Sequence, residues 1–311
     1  MKGDANLFAA IDLGSNAFRM MIGQSVKRNR KWMIHEVKTL REPVRLSEGL
    51  QGGALDEMAL DRGWQALSRF GKKLRGFEAG RVRAVATSAV READNAQLFL
   101  ASAERHLGFR IDVISGHEEA QLVYAGVTHS IPSPQSMRLV VDIGGGSTEL
   151  ILGQGAQPLL TESIAIGSGT FGARYFSGGC ITAPALLEAE RVATQQFETV
   201  ARRYRALGWQ QAIGSSGTAR MLAKVLKANG MNDDRESGIT YSGLLRLSLR
   251  LLEVGHVKQL KLAGLQNHRL STLPGGLVVM LAAFKVFGIS HMTPSEAGLR
   301  FGVLHGLISR H

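Results

Sequence analysis

Two segments of this chain repeat one pattern 130 residues apart, and this repeat constrains the fold more than any other feature of the sequence. Residues 9–23 and 139–153 each begin with a short apolar run that ends at an aspartate, Asp12 in the first segment and Asp142 in the second. A glycine-rich turn follows each aspartate, and a second apolar run then ends in a glycine 11 residues after it. Short apolar runs joined by a turn are typical of a β-hairpin. Two copies at this separation predict a duplicated domain.

The rest of the sequence predicts strands and helices that alternate around the two hairpins. Strand-like apolar runs occupy residues 33–37, 82–87, 111–114 and 158–166. Helical patterns occupy residues 58–74, 119–127, 184–204, 243–254 and 294–308. Such alternation is typical of an α/β fold.

The length of 311 residues allows two domains. We expect the first at residues 1–128 and the second at residues 136–294, on either side of the proline-containing segment 130–135. We also expect a helix over residues 295–311 to pack back on the first domain.

The chain is strongly basic, with 37 Lys and Arg against 26 Asp and Glu and a net charge of +11. The excess is spread over both halves and is densest at residues 27–31, 72–75 and 202–205. Such a charge attracts polyanions. Aromatic residues make up only 6% of the chain and do not interleave with the basic runs, so we expect no specific nucleic-acid binding.

The composition disfavours several other classes of protein. The single cysteine, Cys180, excludes intramolecular disulfides and cysteine-rich metal sites. No long apolar run precedes Asp12, so a secretory signal is not expected. The most apolar stretch, residues 273–289, contains Pro274 and Lys285 and is shorter than a membrane span. We therefore expect a cytoplasmic protein that does not enter a membrane.

Three loops combine glycine with hydroxyl or amide side chains, as phosphate-binding loops do. They are Gly14-Ser15-Asn16, Gly144-Gly145-Gly146-Ser147-Thr148 and Gly214-Ser215-Ser216-Gly217-Thr218. Their backbone N–H groups are not obstructed by bulky side chains and can surround a phosphate. A carboxylate beside such a loop can bind Mg²⁺ together with phosphate oxygens, and Asp12 and Asp142 are placed for this.

The better-known nucleotide motifs do not account for these loops. The P-loop pattern is absent from the sequence. Residues 167–172 match GxGxxG, but the acidic residues near the required distance, Glu188 and Glu190, lie within a helical pattern. We therefore interpret this match as accidental.

Six segments match, in position and order, the motifs of one known family. They are AIDLGSNAFR (10–19), ATSAVR (86–91), ISGHEEAQL (114–122), VDIGGGSTEL (141–150), AIGSSGT (212–218) and SEAGLR (295–300). On these segments the chain resembles the exopolyphosphatase / guanosine pentaphosphate phosphatase family over nearly its whole length. The resemblance implies an α/β fold of two duplicated ribonuclease H-like domains with a cleft between them, as in the actin, Hsp70 and sugar-kinase superfamily.

The resemblance also implies which form of the family this is. The length corresponds to the short, two-domain form, without the additional C-terminal module of the long members. One departure is Phe301 in Arg300-Phe301-Gly302, where the family often has Glu.

The same resemblance implies roles for the acidic residues. Glu119 corresponds to the catalytic base that activates water, although its neighbour Glu118 is the residue with which it could be confused. Glu149 corresponds to a second carboxylate that positions water or metal. Asp12 and Asp142 would hold Mg²⁺ or another divalent cation.

The phosphate ligands would come mainly from the first two loops. They would be Gly14, Ser15, Asn16, Gly144, Gly145, Gly146, Ser147 and Thr148. Arg91 would either neutralise charge in the transition state or form an ordinary surface salt bridge, and Arg45 has the same ambiguity. The third loop, residues 214–218, would lie on the nucleoside side, so that all three loops face one cleft.

These roles imply hydrolysis of a terminal phosphoanhydride. The first hypothesis is an exopolyphosphatase that releases orthophosphate from inorganic polyphosphate, and the alternative is a guanosine pentaphosphate (pppGpp) 5′-phosphatase. Less favoured are a non-catalytic sensor of polyphosphate or guanosine tetra- and pentaphosphate, and an ATP-dependent switch of the actin or Hsp70 type. The expected partner is thus polyphosphate or a guanosine polyphosphate, and a homodimer remains open.

Overall fold

The computed structural model describes residues 6–28, 31–131, 135–233 and 237–310. The predicted basic run at 27–31 and the predicted linker at 130–135 lie partly outside the described residues. The chain divides into two compact units, the first formed by the described parts of residues 1–126 and 298–311 and the second by those of residues 127–297.

Strands and helices alternate in both units. The strands are β1 (Leu7–Leu13), β2 (Ala17–Arg28), β3 (Lys31–Pro43), β4 (Leu50–Gln51), β5 (Ala54–Leu55), β6 (Val82–Ala86), β7 (Ile111–Val113), β8 (Met137–Ile143), β9 (Thr148–Gln154), β10 (Gln157–Ile164), β11 (Gln211–Ser215), β12 (Ile239–Thr240) and β13 (His291–Pro294). The α-helices are α1 (Glu57–Lys73), α2 (Ser88–Arg91), α3 (Ala96–Leu107), α4 (Gly116–Ser130), α5 (Ser168–Tyr175), α6 (Ala183–Leu207), α7 (Ser216–Ala228), α8 (Tyr241–Val254), α9 (Leu273–Phe287) and α10 (Leu299–Ile308).

Each predicted strand or helix coincides with an observed element of the same type, with different bounds, except near the end of the chain. There the helix predicted over 294–308 begins only at Leu299, because residues 291–294 form β13 and pair with β11. The buried Met292 is therefore part of a sheet and not of a helical face.

The two main sheets share one topology, which confirms the duplication predicted from the sequence. The first sheet has the order β3-β2-β1-β6-β7 and the second β10-β9-β8-β11-β13, with β12 at its edge. In each sheet, the first three strands of the unit are antiparallel neighbours. Two later strands are parallel to the central strand: β6 and β7 to β1 in the first sheet, and β11 and β13 to β8 in the second. The hairpins also share their register, since Asp12 lies opposite Arg19 and Asp142 opposite Glu149.

The sheet of the first unit is covered on both faces. On one face, alternate strand residues such as Leu13 and Met20 pack with Phe70 of α1 and Phe99 of α3. On the other face, Phe8, Ala10 and Met21 pack with Val303, Leu304 and Leu307 of α10. Since strand residues alternate between faces, Asp12 and Arg19 lie on the same face as the residues under α10.

Helices α4 and α10 cross at backbone contact in the first unit. A Cβ at Gly302 would overlap the carbonyl group of Leu122, and one at Gly126 would overlap that of Gly298. The crossing therefore requires glycine at these positions and places the N-terminal turns of both helices at fixed positions beside the sheet.

The second unit is organised around α9, of whose 15 residues only Lys285 is not buried. The segment Asn267–Phe287 is long and apolar enough to cross a membrane by length and composition, but 83% of its most apolar window is buried inside the protein. Burial of this degree is what a core helix of an α/β unit requires, and α6 packs along it.

Candidate active site

The turn after β1 forms the first candidate phosphate loop. Ser15 is buried, and its Oγ accepts a hydrogen bond from the N–H of Ala89 at 3.2 Å and lies 2.9 Å from the Oγ of Ser88. A Cβ at Gly14 would lie 3.2 Å from the carbonyl oxygen of Ala17 and 3.3 Å from Oδ1 of Asp12. The turn is therefore compact, and helix α2 is fastened to it.

Asp12 is the buried carboxylate of this loop. The Nη1 of Arg300, in the first turn of α10, lies 4.0 Å from its Oδ2, and both side chains are mostly buried. Burial raises the pKa of the Asp12 carboxyl, while the charges of Arg300 and Arg19 oppose that rise. A bound cation would stabilise the ionised form, because it would replace hydration that burial has removed.

The structure distinguishes the two adjacent glutamates. Glu118 is partly exposed and forms an ion pair with Arg83 at 2.6 Å. Glu119 is only 8% exposed, and its Oε2 accepts a hydrogen bond from Nη1 of Arg91 at 3.3 Å. Both lie in the first turn of α4, where the helix dipole favours a negative charge. Glu119 is thus the buried and oriented member of the pair.

Arg91 is partly buried, and its guanidinium group is held by two acceptors. Its Nη1 donates to the carbonyl oxygen of Ile114 at 3.0 Å as well as to Glu119. Arg91 ends the short helix α2, whose first two residues contact Ser15. Helix α2 therefore links the phosphate loop to Glu119 within the first unit.

The turn after β8 forms the second candidate phosphate loop. The N–H of Gly144 donates to the carbonyl oxygen of Ser147 at 2.9 Å, which closes the turn. Ser147 is buried, and the fully buried Thr148 donates its hydroxyl hydrogen to the carbonyl oxygen of Ile166 at 2.6 Å. The side chain of Thr148 therefore ties the end of the turn to the segment that follows β10.

The segment Gly167–Gly172, interpreted from the sequence as an accidental GxGxxG match, holds this second loop. The N–H and Oγ of Ser168 each donate to the carbonyl oxygen of Gly144 at 2.9 Å, and the N–H groups of Gly169 and Thr170 donate to that of Gly145 at 2.9 and 3.1 Å. A Cβ at Gly167 would lie 2.5 Å from the carbonyl group of Gly145. Gly167 therefore allows this close contact, and the GxGxxG match was the signal for it in the sequence.

Asp142, Glu149 and Ser215 occupy one row across three neighbouring strands of the second unit. Glu149 is 1% exposed, and its Oε1 accepts a hydrogen bond from Oγ of Ser163 at 2.8 Å. The equivalent position of the first hairpin carries Arg19. The two hairpins thus share a backbone but present opposite charges at the same position.

The third loop contains a strained residue. Ser216 has a φ of 96°, a conformation that costs energy in a residue other than glycine. Its Oγ accepts hydrogen bonds from the N–H groups of Thr218 and Ala219 at 3.2 and 3.3 Å, at the start of α7. Ser215 and Thr218 are buried, and a Cβ at Gly214 would lie 2.7 Å from that of Ala219. Strain of this kind accumulates at functional sites.

The predicted residues therefore form one cluster in each unit. The first comprises Asp12, Gly14, Ser15, Asn16, Arg91 and Glu119, and the second comprises Asp142, residues 144–149 and residues 214–218. Arg19, opposite Asp12, and Ser168, below Gly144, are the site neighbours that the sequence analysis missed. Within the described ranges, no group of three or more His, Cys, Asp or Glu side chains has the geometry to hold a metal ion.

Comparison with known proteins agrees with this architecture. Residues 25–311 match the model of the Ppx/GppA phosphatase family. The chain is similar to a solved exopolyphosphatase-like protein, with 26% identity, coverage of 98% of this chain and 99% of that chain, and a TM-score of 0.83. It is also similar to the Aquifex aeolicus member of the Ppx/GppA family, with 25% identity, coverage of 98% and 99%, and a TM-score of 0.76.

A third solved structure shows the same fold. This is an exopolyphosphatase from Cytophaga hutchinsonii, with 24% identity, coverage of 98% of both chains and a TM-score of 0.85. The predicted fold class, an α/β chain of two duplicated actin-like domains, is confirmed. The chain belongs to the Ppx/GppA phosphatase family, and it is a phosphoanhydride hydrolase.

Proposed function

We propose that this chain is an exopolyphosphatase, which releases orthophosphate from the end of inorganic polyphosphate with Glu119 as the base that activates water. The observation that carries the proposal is the burial of Glu119 together with its hydrogen bond from Arg91. The net charge of +11 supports a polyanionic substrate. The Cytophaga hutchinsonii protein of the same fold is an exopolyphosphatase.

In the proposed reaction, a water oxygen attacks the terminal phosphorus. A new P–O bond forms, the bond from that phosphorus to the bridging oxygen breaks, and the shortened chain leaves with the bridging oxygen. Glu119 accepts the proton of the water, and Arg91 keeps the carboxylate oriented for this transfer. Positioning and charge neutralisation contribute most of the rate enhancement in phosphoryl transfer.

The two glycine-rich turns would bind the phosphate groups. In the first unit, Ser15 and Asn16 would do so beside Asp12, and in the second unit Gly145, Gly146 and Ser147 would do so beside Asp142. Backbone N–H groups of such turns bind phosphate oxygens without a side chain in the way.

The carboxylate chemistry of Asp12 and Asp142 suits a magnesium ion. Asp12 and Asp142 would hold Mg²⁺ or another divalent cation, which when bound neutralises charge on the phosphate oxygens. Mg²⁺ takes one or two carboxylates and completes its shell with phosphate oxygens and water.

The decisive experiment compares Glu119→Gln with Glu118→Gln. Phosphate release should be measured with long polyphosphate, short polyphosphate, pppGpp and ATP in the presence of Mg²⁺. We expect kcat to fall by about 10²–10⁴-fold in Glu119→Gln, the usual contribution of a general base. Glu118→Gln should stay near the wild-type rate, because it loses only a partly exposed ion pair with Arg83.

The outcomes separate the base from the substrate. Unchanged turnover in Glu119→Gln contradicts its assignment as the base. A higher kcat/KM for pppGpp than for any polyphosphate replaces the proposed substrate with the guanosine nucleotide and leaves the residue roles as they stand.

A further inference from the structure

Two arginines lie on one face of the first sheet, and a third follows the sheet beside the candidate phosphate loop. Arg19 on β2 lies directly opposite Asp12 on β1 and directly opposite Arg41 on β3. Residues that pair directly in antiparallel strands project to the same face, so Asp12, Arg19 and Arg41 form a row across three strands. Arg45 follows β3 by two residues, and its N–H donates to the carbonyl oxygen of Asn16 in the phosphate loop. We call Arg19, Arg41 and Arg45 the arginine cluster.

The arginine cluster is unfavourable for folding by itself. Arg19 and Arg41 are like charges in direct cross-strand register, which destabilises a sheet. Arg41 is half-buried, and its Nε is buried without a hydrogen-bond partner among the described residues. Burial and the charges of Arg19 and Arg45 lower the pKa of Arg41. Two carboxylates lie near the cluster: Glu48, 3.6 Å from Arg45, and Asp12, directly opposite Arg19.

Arg45 is held beside the phosphate loop at a cost in backbone strain. It has a φ of 54°, in the left-handed region that favours glycine. Its N–H donates to the carbonyl oxygen of Asn16 at 2.9 Å. Arg62 donates to the carbonyl oxygens of Val44 at 2.8 Å and Arg45 at 3.4 Å. The backbone of Arg45 is thus fixed from both sides, next to the turn that contains Ser15 and Asn16.

We infer that Arg41 and Arg45, together with Arg19, form an anion subsite for the phosphate groups of a linear phosphoanhydride chain beyond the group that reacts. Guanidinium groups bind phosphate oxygens through paired, charge-assisted hydrogen bonds, and Nε of Arg41 has no acceptor among the described residues. Strands are about 4.8 Å apart, so the row from Asp12 to Arg41 spans about 10 Å. A row of this length fits several phosphate groups and not one.

The inference rests on the proposed function only in placing the reacting phosphate beside Asp12. The bound phosphoanhydride chain could belong to inorganic polyphosphate or to a nucleotide polyphosphate, which share this chemistry. Arg41→Met and Arg45→Gly are the test variants, and glycine at position 45 also relieves the left-handed backbone. Arg69→Met is the matched control. Arg69 forms an ion pair with Glu42, and Glu42 lies next to Arg41 on β3 and therefore projects to the opposite face of the sheet.

Binding should be measured in EDTA, which prevents metal-dependent turnover, with orthophosphate, inorganic tetrapolyphosphate, long polyphosphate and pppGpp as probes. We expect Arg41→Met and Arg45→Gly each to weaken chain binding about tenfold while orthophosphate binding changes less than about twofold. Arg69→Met should bind like the wild type. The probe with the larger loss identifies the source of the chain. Equal losses in Arg69→Met and Arg41→Met, or no loss in either test variant, overturn the inference.

Two further readouts keep the outcomes distinct. Arg41→Met should melt at or above the wild-type temperature, because it removes like-charge repulsion; a lower melting temperature together with unchanged chain binding assigns Arg41 a structural role and overturns the inference. Selective loss of chain binding in a protein that releases no phosphate supports the subsite and contradicts the proposed hydrolysis. Normal phosphate release with an unchanged KM in Arg41→Met supports the proposed hydrolysis and contradicts the subsite.

Discussion

Substitution of Gly167 by alanine should displace the second phosphate loop without straining the backbone. Gly167 has a φ of −147° and a ψ of 165°, an extended conformation that alanine adopts freely. The effect of the substitution therefore comes from the added methyl group alone. That methyl group would lie 2.5 Å from the carbonyl carbon and oxygen of Gly145 and 2.6 Å from the nitrogen of Gly146.

The size of the displacement follows from ordinary contact distances. Carbon atoms in contact lie about 3.5–4.0 Å apart, so the loop or helix α5 must move by about 1 Å. A displacement of about 1 Å at a reacting group can cost about 10²-fold in rate. Overpacking of this kind also costs about 1–3 kcal/mol of folding stability. We expect Gly167→Ala to lose about 10²-fold in kcat/KM and to melt at a lower temperature.

The assay is phosphate release with polyphosphate and Mg²⁺, paired with thermal unfolding of each variant. Gly306→Ala is the matched control, because Gly306 lies in helix α10 with no atom within 4 Å of an added Cβ. It should keep the wild-type kcat/KM and gain about 0.5–1 kcal/mol, the usual benefit of alanine within a helix. Wild-type kcat/KM in a folded Gly167→Ala protein would refute the reasoning, as would an equal loss in Gly306→Ala.

Two further predictions concern Asp12 and Tyr204. Burial raises the pKa of Asp12 in the folded chain, so its ionised form opposes folding above the unfolded pKa of about 3.9 and has no such effect below it. Asp12→Asn should therefore raise the free energy of unfolding in urea at pH 7, and this gain should vanish below about pH 4. The same variant should lower phosphate release by about 10²-fold or more. A variant less stable than the wild type at pH 7 contradicts the stability prediction. The buried hydroxyl of Tyr204 donates to the carbonyl oxygen of Leu150 at 2.9 Å, next to Glu149, and burial raises its pKa so that it stays a neutral donor. Tyr204→Phe should cost about 1–3 kcal/mol in urea unfolding, equally at pH 6 and pH 9, because it leaves a buried carbonyl without its donor; no cost, or a cost that disappears at pH 9, contradicts this.

The duplicated hairpin could be predicted from the sequence because its signal is local. In each copy, a short apolar run, a turn and a second run lie within 15 consecutive residues, and the register that brings Asp142 opposite Glu149 follows from the turn length. The strand orders agree with this prediction in both units. The local pattern at residues 294–298 was misleading, because Pro294 pairs with the distant strand β11 and the N–H of Ser295 donates to Gly214 of the same strand.

The parts of the site that could not be predicted depend on contacts between distant segments. Residues 167–172 matched a known motif, but their role as support of the Gly144 turn depends on hydrogen bonds across more than 20 residues. The row from Asp12 to Arg41 depends on the register of two hairpins, the second of which contains an irregularity between Ile22 and Gly23. Sequence spacing alone does not reveal either arrangement.

Helix α10 has a consequence for the order in which the molecule can fold during synthesis. It covers Phe8, Ala10 and Met21 of the first sheet, although it follows them by nearly 280 residues. The second unit is continuous in sequence, from residue 127 to residue 297, and is complete before α10 has been made. On the ribosome, the first unit to be translated is therefore the last to acquire its full core, and its apolar face needs protection until residues 299–308 emerge.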